Sequence, residues 1–143
     1  TDGNQLFYLA YSDVVIGLDA ATGEDSWRYP TENWSPGFIY ADDRLFFGSD
    51  NAFVHAVKSD SGSADWRVHL EGIFNAPRGR PALSADCLLF QSNDNRLYCI
   101  HREDGSLIWQ TEPQHRSRVA LAAGGGQLFL TRHDGWLYAY EID

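Results

Sequence analysis

The chain has 143 residues, 43% of them hydrophobic and 14% aromatic, enough for one domain with a packed core and too apolar for a disordered chain. Its formal net charge of −9 excludes a general nucleic-acid binder, which needs a basic face to displace phosphate counterions. No run approaches the roughly 18 apolar residues of a membrane helix, so no membrane insertion is expected, and no signal peptide is visible. Ten of the 11 basic residues are arginine, the side chain suited to bidentate recognition of carboxylates. Methionine is absent, and we expect a processed or excised piece of a longer polypeptide.

In chain order the sequence divides into four units, at about residues 1–30, 31–70, 71–112 and 113–143. The first carries short β runs at 6–9 and 14–18, a turn at Gly23, and a run holding Trp27. The second adds a run at 38–41 before those at 45–48 and 53–57, then Gly62 and a run with Trp66. The third repeats this with 81–84, 88–91, 96–100, Gly105 and Trp109. The fourth shows 119–122, 128–131 and 136–140. Polar turns such as Ser49-Asp50-Asn51 and Asn93-Asp94-Asn95 have the composition of tight hairpins, and Gly23, Gly62 and Gly105 suit a positive φ.

Gly23 and Gly62 are 39 positions apart, Gly62 and Gly105 43, and the Trp residues keep the same intervals. Four antiparallel strands per roughly 40 residues describe one propeller blade, and no helical period competes. The expected fold class is therefore all-β, a β-propeller segment of about three and a half blades.

The two cysteines fall in different repeat slots. Cys99 takes the slot of Gly17, Ala56 and Ala139, and Cys87 that of Gln5, Arg44 and Gln127. With the turn near Asn93–Asn95 they lie diagonally across two strands, about 7–8 Å apart, and free thiols are expected.

The order Leu-Asp, Thr-Gly, Trp in residues 18–27, with its echo from Leu97-Tyr98-Cys99-Ile100 to Trp109, resembles the repeat of the quinoprotein-type (PQQ-like) β-propellers over the whole chain. The resemblance implies that Trp27, Trp66 and Trp109 dock on the neighbouring blade and pack over the small residues Gly17, Ala56, Cys99 and Ala139. It also implies that the C-terminus is natural and the N-terminus cut, the chain being the C-terminal half of a larger ring. That ring would be completed by self-association or by pairing with the rest of a propeller. The function implied is a non-enzymatic scaffold that binds a protein partner, in envelope assembly or sensing, in a periplasmic or extracytoplasmic location. The alternative is a fragment of a PQQ-dependent quinoprotein dehydrogenase. Against it, Cys87 and Cys99 are not adjacent and no matching acidic cluster is recognisable, so no cofactor and no enzymatic role are expected.

Other motifs carry little chemistry. The acidic turns Asp42-Asp43, Asp50-Asn51 and Asn93-Asp94-Asn95 lack the alternating oxygen ligands of a calcium loop, and no metal is expected. Gly124-Gly125-Gly126 has no following Lys-Ser or Lys-Thr and reads as a turn. His55, His69, His101, His115 and His133 have no ligand spacing, and Asn33-Trp34-Ser35 is followed by Pro36. Arginine is the exception. Arg78 and Arg80 in the loop entering the third unit, and Arg116 and Arg118 in the loop entering the fourth, are expected to converge on one rim as an anion or acidic-partner site. Glu71 and Glu112 share those loops.

Overall fold

A computed structural model describes residues 3–11, 13–70, 77–111, 121–131 and 135–141. Four antiparallel meander sheets follow one another in chain order. The first contains β1 (Gln5–Ala10), β2 (Val14–Asp19) and β3 (Asp25–Pro30). The second contains β4 (Phe38–Ala41), β5 (Arg44–Gly48), β6 (Phe53–Lys58) and β7 (Ala64–His69). The third contains β8 (Pro77–Ser84), β9 (Cys87–Ser92), β10 (Leu97–His101) and β11 (Leu107–Gln110). The fourth contains β12 (Leu121–Gly124), β13 (Gln127–Thr131) and β14 (Leu137–Glu141). The architecture is an incomplete propeller, all-β, with sheets of three or four strands.

The turns follow from their residues. Asp42 and Asp43 both have positive φ, 48° and 57°, and close a two-residue turn between β4 and β5. These adjacent carboxylates are therefore turn formers. Gly125 and Gly126, at 61° and 74°, fill the same turn between β12 and β13. A register shift recurs at one slot of each middle-to-outer pairing, after Gly17, Ala56 and Cys99, so that each outer strand meets its neighbour with the same offset.

Strand alternation sorts the apolar residues onto two faces of each sheet. Phe7, Val15 and Trp27 of the first sheet pack against Leu45, Phe47 and Val57 of the second. Phe46, Val54 and Ala56, on the second sheet's other face, pack against Leu88, Phe90, Tyr98 and Ile100 of the third. Leu89, Leu97 and Cys99 meet Leu128 and Leu130 of the fourth. The two middle sheets are thus covered on both faces, which explains their nearly continuous apolar strands.

The indoles join sheet to sheet. Trp27 lies opposite Gly17 in the register, and a Cβ on Gly17 would sit 2.6 Å from its Nε1. The same ring covers Gly62 of the second sheet, where a Cβ would sit 2.6 Å from Cδ2, and its N–H donates to the Ser59 carbonyl at 2.8 Å. Trp66 repeats the arrangement. It faces Ala56 in its own sheet, covers Gly105 of the third, and donates to the Arg102 carbonyl at 2.9 Å. Gly62 and Gly105 serve twice, since their φ of 67° and 74° also shapes the turn. Trp109 faces Cys99 and packs into the cluster between the third and fourth sheets.

The expectation of free thiols is overturned, because Cys87 and Cys99 are joined by a disulfide. Cys87 pairs with His101 and Cys99 with Leu89, so the cysteines are diagonal as expected. Strand twist shortens this diagonal to 5.4 Å between Cα atoms, within bridging range.

Replacing Trp66 by Ala is expected to cost about 3–5 kcal/mol, as for a packed aromatic removed from a core. Gly17→Val is expected to cost about 2–3 kcal/mol through overpacking against Trp27. Urea unfolding of both variants checks this, and a midpoint unchanged from the parent for either would contradict the packing.

Candidate interaction surface

Among the described residues, the antiparallel strand order places the β2–β3, β6–β7 and β10–β11 turns at one end of the segment and the connection between the first and second sheets at the other. Residues 31–37, which link the first sheet to the second, are tied down at that second end by backbone bonds. Thr31 N–H donates to Asp13 O at 2.8 Å, and Asp50 N–H donates to Trp34 O at 2.8 Å. This leaves the Trp34 side chain 48% exposed, and Tyr11, on the neighbouring turn, 99% exposed.

Arg80 belongs to the same end. The sequence places Arg78 and Arg80 in a loop, but both lie within β8. The ladder between β8 and β9 pairs Arg78 with Gln91 and resumes at Ala82 with Leu89, so residues 79–81 bulge from the sheet. Gly79 supports the bulge with φ 69°. Arg80 is exposed, and its stem crosses the preceding connection, where a Cβ on Gly37 would sit 2.9 Å from Arg80 Cγ. Arg80 therefore reaches back toward the segment that carries Trp34. Arg116, Arg118, Glu71 and Glu112 lie outside the described residues, so the convergence of four arginines is not among the described geometry.

Beneath this end lies a buried polar chain that the sequence does not reveal. His55 on β6 is fully buried and stacked on Phe47, with ring centroids 4.8 Å apart. Its Nδ1 is 3.0 Å from the Tyr29 hydroxyl of the first sheet, and its Nε2 is 3.1 Å from Ser49 Oγ. Ser49 Oγ donates onward to Asn51 Oδ1, so it accepts from His55 Nε2–H, and Nδ1 accepts from Tyr29 O–H. Burial lowers the His55 pKa to about 4, with the Arg67 charge acting in the same direction. Arg67 itself pairs at 2.5 Å with Glu32 of the connection between the first and second sheets. The only hint in the sequence is a histidine inside the apolar run Phe53-Val54-His55-Ala56-Val57.

The opposite end is laced by ion pairs between the second and third sheets. Arg44 reaches Glu103 at 2.7 Å, and Arg102 reaches Asp42 at 2.6 Å. Acidic turn residues prevail there, among them Asp19, whose carboxyl is held below its usual range by the Thr22 and Ala21 N–H groups. Among the described residues, no group of three or more His, Cys, Asp or Glu side chains is arranged to hold a metal ion.

The family profile described as "Outer membrane protein assembly factor BamB" matches residues 11–143. The chain belongs to this BamB-type family of PQQ-like propellers. The outer membrane protein assembly factor BamB of Nitrosomonas eutropha is 26% identical over 146 residues, covering 97% of this chain and 35% of that protein. The crystal structure of BamB from Moraxella catarrhalis superposes with a TM-score of 0.78 at 20% identity, over 96% of this chain and 43% of that one. A europium-containing methanol dehydrogenase shares the fold at a TM-score of 0.67 and 17% identity, over 76% of this chain and 23% of its own. The chain spans about a third of the length of the curated relatives it matches.

Because His55 is neutral in the folded state and titrates near 6.5 when unfolded, the unfolded chain binds the extra proton between those values. Stability is expected to be full above pH 6.5 and to fall by about 2–3 kcal/mol as the pH drops toward 4. In His55→Gln that part of the pH dependence should vanish. Denaturant unfolding at a series of pH values measures it, and an unchanged slope in the variant would contradict the assignment.

Proposed function

We propose that this segment is a non-enzymatic scaffold that presents the end bearing Arg78, Arg80, Trp34 and Tyr11 to a protein partner with acidic groups. The observation that carries the reading is the exposed Arg80 leaning over Gly37 toward the exposed Trp34, since arginine and tryptophan are the side chains most enriched in binding hot spots. Arg116 and Arg118 extend the same surface in this reading, with residues 1–143 acting as one propeller segment. The relatives named as assembly factors support a scaffold, whereas the dehydrogenase likeness concerns the fold alone.

The reading includes an extracytoplasmic location. The Cys87–Cys99 disulfide supports it, because such bonds persist in oxidising compartments, and so do relatives named for outer-membrane protein assembly. Among the described residues no helix is long and apolar enough to cross a membrane.

Photo-crosslinking groups placed at residue 80 and at residue 60, on the opposite end, test the proposal in cells of the source organism. The expected result is a protein adduct from position 80 alone. That adduct should be lost when Arg78, Arg80, Arg116 and Arg118 are all replaced by Gln, and its yield should fall between low and physiological salt. Adducts from position 60 alone, or a quadruple variant that crosslinks as before, would overturn it.

A further inference from the structure

At the acidic end, two arginines join the second sheet to the third: Arg44 reaches Glu103, and Arg102 reaches Asp42. In the repeat, Arg44 holds the slot of Gln5, Arg102 that of Ser59, and Glu103 that of Asp60. Where the first sheet meets the second, an amide and a hydroxyl therefore stand in the two arginine slots, while the carboxylate slot is kept.

A cavity of about 360 Å³ opens between the β4–β5 and β6–β7 turns of the second sheet, lined by Asp42, Asp43, Arg44, Lys58, Ser59 and Asp60. Its polar groups are unequally satisfied. Arg44 is taken by Glu103 and Asp65, Asp42 by Arg102, and Lys58 lies 3.8 Å from Asp65. Asp43 accepts from the Tyr40 hydroxyl at 3.0 Å and meets no cation among the described residues. The Asp60 carboxylate has neither a cation nor a hydrogen-bond donor among them. Ser59 is 2% exposed. Its N–H donates to Asp43 O at 2.9 Å and its carbonyl accepts the Trp27 indole N–H, which leaves the hydroxyl as its unpartnered polar group on the cavity wall.

The acceptors left over suit a guanidinium group. It is planar and carries five N–H donors, so it can bond two carboxylates and a hydroxyl together, whereas an ammonium has three donors and no fixed plane. We propose that this cavity is a binding site for a small molecule bearing a guanidinium group, held by the Asp60 and Asp43 carboxylates with Ser59 Oγ accepting a further N–H. The occupant supplies the guanidinium that Gln5 and Ser59 do not, and the cavity has the size of a small-molecule site. The site lies at the end opposite the arginine-bearing surface and stands without it.

Agmatine titrated into the 15N-labelled chain at fixed ionic strength tests this. It is expected to shift the amides of Asp43, Ser59 and Asp60 saturably and to leave in place those of Ala20 and Ala21, which hold the Ser59 and Asp60 slots in the first sheet. Putrescine, with an ammonium in place of the guanidinium, should bind at least tenfold more weakly. So should agmatine to Asp60→Asn, a change at an exposed turn position. Ser59→Ala, which installs the residue of the first sheet's turn, should weaken agmatine several-fold, and both variants should keep the parent spectrum elsewhere. No saturable shift at these residues, equal binding of putrescine, unchanged binding to Asp60→Asn, or tighter binding of a Gly-flanked arginine peptide than of agmatine would overturn the proposal.

Discussion

The close approach of an indole to a residue without a side chain is the constraint on which the rest of this molecule depends. A flat ring can bridge two sheets only where one offers an uncovered backbone and a carbonyl for its N–H. Gly17 provides the floor beneath Trp27, and Gly62 with the Ser59 carbonyl provides the site on the next sheet. That contact sets the stagger of adjacent sheets. The alternating residues beside it, Leu45, Phe47 and Val57 on one face of the second sheet and Phe46, Val54 and Ala56 on the other, then fill the two interfaces.

Much of this was legible because the repeat compares the chain with itself. Aligning Trp27, Trp66 and Trp109 sets the phase of the strands, and the small residues opposite them follow at once. The disulfide was misjudged for a geometric reason. Slot alignment places Cys87 and Cys99 diagonally but treats the sheet as flat, and twist brings the Cα atoms to 5.4 Å. The inter-sheet ion pairs of Arg44 with Glu103 and of Arg102 with Asp42 were illegible because they join residues 59 and 60 positions apart, in slots with no fixed charge.

The arginine-bearing end was partly legible. The sequence shows which residues bear charge there but not that Arg78 and Arg80 enter a strand, because the bulge at residues 79–81 has no equivalent in the β4–β5 pairing of the second unit. Trp34 falls outside the repeated tryptophan slot, so the repeat assigns it no role. His55 sits in a slot held elsewhere by Ile16, Tyr98 and Tyr138, all apolar or aromatic, so its buried chain to Tyr29 and Ser49 needed the packing of two sheets to appear. The interior is thus specified by the repeat, and the end that bears Arg80 and Trp34 by departures from it.

Hydrogen exchange of the five indole N–H groups, followed by NMR, tests the central claim most directly. Trp27 and Trp66 donate to backbone carbonyls at sheet interfaces, whereas Trp34 and Trp136 are 48% and 70% exposed. The account predicts that the Trp27 and Trp66 indole protons exchange only with opening of the sheet interfaces, orders of magnitude more slowly than those of Trp34 and Trp136. Exchange of the Trp27 and Trp66 protons as fast as at the two exposed rings would contradict it.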